Sequence, residues 1–183
     1  MSRVLILYAH PAPHRSLANA AMIAAVRDLP GVTVHDLYET YPDLLIDIEA
    51  EQDLLVRHDV IVLQHPLFWY SAPAIVKEWL DVVLEHGFAY GESGAALAGK
   101  SWQQAVTAGG GAAAYGPAGR NRFTIPELLR PFEATAALCG CRWLDPFVMH
   151  AAHLLDAAGV AAESARYRSL VATLAKAPVA VPP

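Results

Sequence analysis

The sequence predicts an α/β domain of three layers, a five-stranded parallel sheet between two layers of helices. Three observations carry this. Short apolar runs alternate with helix-length segments along the whole chain. Two of those runs, Val4-Leu5-Ile6-Leu7-Tyr8 and Val60-Ile61-Val62-Leu63, are apolar at every position, the pattern of strands covered on both faces. The chain has 183 residues, 55% of them hydrophobic and 17% charged, which suits one domain with a substantial core.

Val4 to Tyr8 is the first strand. His10-Pro11-Ala12-Pro13 ends it, since proline has no N–H for a ladder. Ser16 then caps a helix expected over residues 17–29, which Pro30-Gly31 breaks. Val32 to Leu37 alternates apolar and polar, as a half-covered edge strand does. A polar stretch follows, then a short helix over 48–57. Val60 to Leu63 is the second buried strand, closed by Gln64-His65-Pro66 and the aromatic cluster Phe68-Trp69-Tyr70. Ser71 is expected to cap the next helix, with Pro73 in its first turn and Gly87 as its stop. Residues 91–100 read as a loop. Trp102 to Ala108 is a core strand running into Gly109-Gly110-Gly111. A long loop through Tyr115-Gly116-Pro117 leads to a helix over 125–138, a last strand over 141–149 and a last helix over 160–175. One domain spans 1–176, and an Ala/Pro-rich tail, 177–183, reads as frayed.

Right-handed crossovers give this alternation the strand order 2-1-3-4-5, a flavodoxin-like arrangement. The loops after strands one, three and four then share the carboxyl edge of the sheet, beside the topological switch point where open α/β sheets bind ligands. The first loop delivers Ser16-Leu17-Ala18-Asn19 at a helix N-terminus, an anion site by its free N–H groups and dipole, with His10 and Arg15 adding charge. The alternative is a plain Ser16 cap and a solvated loop. The second, Pro66 to Ser71, holds three consecutive aromatics that cannot all face the core. One of them is expected in the cleft as a platform for a flat ligand; a hydrophobic dimer patch is the other reading. The third, Thr107-Ala108-Gly109-Gly110-Gly111, lets a ligand approach the backbone and offers N–H donors. Gly109 to Ala114 nominally matches a dinucleotide fingerprint, but Tyr115-Gly116-Pro117 interrupts the helix that fingerprint requires. An anion site, an aromatic platform and a donor loop on one edge suit a phosphorylated planar cofactor such as flavin mononucleotide, FMN.

Composition excludes several classes. The net charge is -5, with 5 basic and 12 acidic side chains in residues 1–90 against 8 and 6 in 91–183. Such a chain is poorly suited to nucleic acid, where phosphate neutralisation supplies much of the affinity. No apolar run reaches the roughly 18 residues of a membrane span. No signal-peptide pattern is present, so a cytoplasmic location is expected. Cys139 and Cys141 are expected to be reduced thiols, since a disulfide at that spacing would be strained. His150-Ala151-Ala152-His153 has the spacing of metal ligands on a helix but follows a strand and lacks a third ligand, so no metal is expected. Asp81 and Glu85 read as a solvated helix face. No Gly-x-Ser-x-Gly elbow exists, which disfavours an α/β-hydrolase.

Tyr8-Ala9-His10-Pro11, Ser16-Leu17-Ala18-Asn19, Gln64-His65-Pro66-Leu67-Phe68-Trp69-Tyr70-Ser71, Lys77-Glu78-Trp79-Leu80-Asp81 and Thr107-Ala108-Gly109-Gly110 together resemble the NAD(P)H:quinone oxidoreductase family of flavodoxin-like flavoproteins. Leu37-Tyr38, Tyr41-Pro42-Asp43, Ile46-Asp47-Ile48, His86 to Gly91 and Phe147-Val148-Met149-His150 resemble the ancillary subunits of glutathione-gated potassium efflux systems. The resemblance runs in order to about residue 175.

It implies bound FMN, NAD(P)H as co-substrate and a quinone-type acceptor, with ping-pong hydride transfer at a shared site. It places the flavin phosphate and ribityl chain near His10, Ser16, Leu17, Ala18 and Asn19. The ring lies against Leu67, Phe68, Trp69 and Tyr70, and its pyrimidine edge meets the backbone of Thr107, Ala108, Gly109 and Gly110. A second threonine is frequent in the family where Ala108 stands. Tyr115 matches a tyrosine beside the hydride acceptor and is the candidate catalytic residue. The family's histidine six positions later is here Asn121, which puts proton relay through this loop in doubt. Arg120 and Arg122 are candidates for the extra phosphate of NADPH or plain surface charges. The resemblance also implies a homodimer and a membrane potassium-efflux partner. Two rival readings stand beside the enzyme, a docking subunit with incidental flavin chemistry and a one-electron flavodoxin-type carrier.

Overall fold

Three strands lie at the centre of the computed structural model, which describes residues 1–178. They are β1 (Val4–Tyr8), β3 (Val60–Pro66) and β4 (Ser101–Thr107), every residue of them buried. The edge strand β2 (Val32–Asp36) is only half-buried, as its alternation predicts. The sheet is parallel throughout, in the order β2-β1-β3-β4-β5, with β5 at Arg142–Trp143. Val4 aligns with both Val32 and Val60, and Pro66 with Thr107, so β1, β3 and β4 end on one edge.

Alternate residues build two cores. Val4, Ile6, Tyr8, Val60, Val62 and Ala105 face α1 (Leu17–Val26) and α7 (Ala157–Lys176). Leu5, Leu7, Ile61, Leu63, Trp102 and Val106 face the other layer, α3 (Ile48–Arg57), α4 (Ala74–Val83), α5 (Ile125–Leu128) and α6 (Arg130–Leu138). A short α2 (Leu37–Thr40), capped by Asp36, completes seven helices among the described residues.

Four boundaries depart from the sequence reading, each for a local reason. The first helix stops at Val26 rather than Leu29, because a residue preceding proline is poorly helical. The helix before Gly87 ends at Val83 and starts after Pro73, with no side-chain cap. Ser71 is instead paired with Phe68 across a tight turn. The expected 125–138 helix breaks at Leu129, since Pro131 has no N–H to continue the ladder. The last strand is two pieces on β4, β5 (Arg142–Trp143) and β6 (Phe147–Met149). Pro146 interrupts it, and Gln103 Nε2 donates to the Asp145 carbonyl in the gap. The sheet therefore has five positions and six strands.

Both cysteines are free and buried, and burial pushes the Cys141 thiol up to about 12. At the tail, the Ala177 N–H caps α7 and its carbonyl accepts from Ser2 Oγ at 3.0 Å. The expected fraying from 177 on therefore does not include Ala177, and residues 179–183 lie outside those described. No described helix is long and apolar enough to cross a membrane.

Candidate functional site

A cleft of about 520 Å3 opens at the carboxyl edge. His10, Ser16 and Asn19 from the first loop, Leu67 and Phe68 from the second, and Thr107 to Gly109 from the third all line it. It sits between β1 and β3, where crossovers diverge to opposite sides of the sheet.

The first loop makes one wall. A helix start leaves N–H groups without intrahelical partners, and Ser16 Oγ accepts that of Asn19 at 3.2 Å. Arg15 stands beside this terminus in the cleft wall. Leu17 lines the cleft but is largely exposed, whereas Ala18 is buried. Asn19 is committed inward, donating from Nδ2 to Ser16 Oγ and to Thr107 Oγ1. It therefore ties the first loop to the third rather than extending a free donor. His10 Nδ1 accepts from the Ala12 N–H at 3.1 Å. Burial lowers the pKa of His10, and that backbone bond holds Nδ1 unprotonated, leaving Nε2–H as the donor of a neutral ring.

The second loop is a two-residue hairpin turn. Phe68 and Ser71 exchange backbone hydrogen bonds at 3.1 and 2.9 Å, and Trp69 and Tyr70 between them have φ of 48° and 65°. Leu67 and Phe68 enter the cleft wall. Trp69 projects into solvent, 94% exposed, and Tyr70 reaches across to Asn121 Oδ1. Of the three aromatics, then, only Phe68 borders the cleft of a single chain.

In the third loop, Thr107 O accepts from Leu67 N, Ala108 N donates to Met149 O and Ala108 O accepts from Ala152 N. Ala108 thus has no backbone N–H left for a ligand. The N–H groups of Gly109 and Gly110 donate to nothing among the described residues. Gly110 is tightly enclosed: a Cβ there would stand 3.1 Å from Tyr115 and 3.2 Å from Ala114. Tyr115 packs beside this turn, next to the cleft rather than within its lining.

Four lining residues escaped the sequence reading, Ala152, His153, Leu155 and Val160. They belong to the turn after β6 and the start of α7. His153 stands 3.5 Å from where a Gly109 Cβ would be. The available signal was topological, since the loop after the fifth strand opens on the same edge as the other three. His150 and His153 lie on this turn, not on a helix.

Residues 2–171 match a family model described as flavodoxin-like fold. The chain belongs to this flavodoxin-like family. A glutathione-regulated potassium-efflux system ancillary protein KefG from Pectobacterium carotovorum is 47% identical over 171 residues, 93% of each chain. General stress protein 14 from Treponema denticola, crystallised in complex with FMN, is 38% identical, covering 94% of this chain and 99% of its own, at a TM-score of 0.89. An NADPH-quinone reductase from P. pentosaceus is 34% identical over 92% of this chain and 96% of its own, at 0.84. The cleft of this flavodoxin-like chain occupies the switch-point edge, and its size falls in the range of cofactor sites.

Proposed function

We propose that the chain is an FMN-dependent NAD(P)H:quinone oxidoreductase. The observation that carries this is the convergence, on one cleft edge, of a cationic helix start, an apolar wall and two free backbone donors. The residues fit FMN. Arg15 and the start of α1 would hold a phosphate, with Ser16 orienting it. Leu67 and Phe68 would flank the ring, and the Gly109 and Gly110 N–H groups would face a polar ring edge. When bound, FMN supplies hydride chemistry, taken from NAD(P)H and passed to a quinone-type acceptor at the same place, with ping-pong kinetics. The two glycine amides would stabilise negative charge developing beside them. Tyr115, packed on that turn, would donate a hydrogen bond toward the acceptor. The FMN-bound and quinone-reductase relatives support the reading.

A second role, ancillary to a potassium efflux transporter, is favoured by the similarity to KefG. In that role the protein would work in the cytoplasm, against the membrane through its partner. A homodimer is supported by an apolar groove of about 530 Å3 between α4 and α6, lined by Leu80, Leu84, Tyr90, Phe132 and Leu138. Exposed Trp69 would border the partner's site.

The test is anaerobic. Protein is loaded with excess FMN, freed of unbound flavin and titrated with NADPH while its visible absorbance is recorded. Retained colour that bleaches, then returns on adding a quinone, is expected. Retained colour that NADPH leaves unchanged favours the docking or carrier role, and no retained flavin overturns the site.

A further inference from the structure

A second pocket, of about 310 Å3, opens where the carboxyl ends of β1 and β2 meet the end of α1. Tyr8, Ile23, Arg27, Val34, Asp36 and Glu39 line it, and none of them lines the cleft described above. Strand register builds one wall. Tyr8 and Asp36 are partners in the parallel β1–β2 ladder, so their side chains leave the same face of the sheet, the face that carries α1. Ile23 and Arg27, four residues apart, share one side of the end of α1. Glu39, from α2, completes the lining.

The polar groups of this pocket are unspent. Neither Arg27 nor Glu39 forms an ion pair among the described residues. Asp36 caps α2 through Oδ1 alone, which accepts from the N–H groups of Tyr38 and Glu39 at 3.1 and 3.2 Å. Its Oδ2 accepts from no described residue. Burial holds the Asp36 pKa above its ordinary value, a strain that a cation alongside would relieve. The Tyr8 hydroxyl is a separate sign. Tyr8 is 4% exposed, and its hydroxyl is buried with no hydrogen-bond partner. Such a group is destabilising unless something completes it. Burial first, and then the Asp36 charge, push the phenol up to about 12, so it stays a neutral donor beside that carboxylate.

We propose that this pocket binds a small zwitterion, a free amino acid or short peptide, with its ammonium group against Asp36 and Glu39 and its carboxylate against Arg27 and the Tyr8 hydroxyl. The charges select this class. The guanidinium comes from α1 and both carboxylates from the β2–α2 junction, so an ion of one sign would leave the other pole unanswered. Among the described residues no group of three or more metal-ligating side chains exists, which argues against a metal ion. The volume is roughly ten times the share of one water, about 30 Å3, and sits at the small end of ligand sites. Ile23 and Val34 leave an apolar surface for a short side chain. The inference stands apart from the oxidoreductase reading, and its test needs no flavin chemistry.

The experiment is calorimetric titration of the full chain, free of flavin and again with excess FMN. The probes are L-alanine, L-leucine, L-glutamate and glycylglycine, with ethylamine and propionate as controls that each carry one charge. At least one zwitterion is expected to saturate a single site while both controls fail. The amino acids against glycylglycine decide between the two sources. Arg27→Gln and Asp36→Asn should each weaken binding by about tenfold or more, the scale of a lost hydrogen bond to a charged group. Asparagine still caps a helix, so α2 is kept. Tyr8→Phe should weaken binding while leaving the unfolding midpoint unchanged or higher, because the free protein loses only an unpaired hydroxyl. A lower midpoint with binding intact would make Tyr8 structural and overturn its role. Three results overturn the site itself: no saturable binding by any zwitterion, equal binding of ethylamine or propionate, and binding that FMN displaces or that the Arg27 and Asp36 variants leave unaltered. If Tyr8→Phe fails to fold, the exposed Arg27 still decides.

Discussion

Asn19 and Thr107, 88 residues apart, are joined by a hydrogen bond of 2.8 Å from Nδ2 to Oγ1 across the carboxyl edge of the sheet. The same Nδ2 donates to the N-cap Ser16. One buried amide therefore fixes the spacing between the helix start and the glycine loop, the two parts expected to grip opposite ends of a cofactor.

Asn19→Ala is expected to destabilise the protein by about 1–3 kcal/mol, since it leaves the buried Thr107 hydroxyl without its donor. Thr107→Val should cost less, and the double variant should cost less than the sum of the two. FMN retention should fall in parallel. Denaturant unfolding of the three proteins checks this. Strict additivity would show that the two residues do not communicate.

Trp69 and Tyr70 present the opposite situation, a strained turn with little packing to hold it. Left-handed φ costs a non-glycine residue about 1–2 kcal/mol, and Trp69 is 94% exposed. Trp69→Gly should leave the unfolding temperature unchanged or raise it, while slowing turnover with a quinone. Strain kept without a packing return points to a role outside the single chain. A fall in stability on mutation would show instead that Trp69 packs in the assembled protein.

The glycine loop offers a paired test. Gly110→Ala would push a Cβ to 3.1 Å from Tyr115, whereas nothing lies within 4 Å of one at Gly111. Gly111→Ala is expected to stay within about 0.5 kcal/mol of the unchanged protein, as surface substitutions do. Gly110→Ala should displace Tyr115 and lower FMN retention. Equilibrium dialysis with FMN separates the two, and equal retention would remove Gly110 from the site.

The sheet was readable because β1 and β3 need apolar residues on both faces, and β2 announces its edge position by alternation. The helix break at Leu129 and the split at Pro146 were written in prolines whose effect depends on which carbonyl they fail to reach. The carboxyl-edge loops were legible from Ser16, the aromatics and the glycines. The inward commitment of Asn19 was not, because its partner Thr107 is distant in sequence. Nor was His153, which enters the cleft from a turn in which Ala151 is left-handed. The helical spacing of His150 and His153, set aside as a metal pair because it follows a strand and lacks a third ligand, belongs in the structure to a turn.

Glu51 gives the clearest acid dependence. Its carboxylate is fully buried beneath α3 and accepts from His35 Nε2 at 2.6 Å, Tyr41 OH at 2.7 Å and Trp79 Nε1 at 2.8 Å. Burial alone would raise its pKa, but the three donors outweigh it, His35 first, and hold the group below the usual glutamate range. A folded-state pKa below the unfolded one contributes stability that is complete above about pH 4.3, the ordinary glutamate value, and is lost as pH falls through the folded value. Glu51→Gln should therefore be less stable at neutral pH and should lose less of its stability on acidification. Glu51→Ala strands two buried donors and should cost about 3–5 kcal/mol, the scale for breaking a buried charged network. Unfolding measured at pH 7, 5, 4 and 3 checks the sign. Parallel curves for the unchanged and Glu51→Gln proteins would mean that the carboxylate does not titrate with folding, and the three-donor account of its charge would fall.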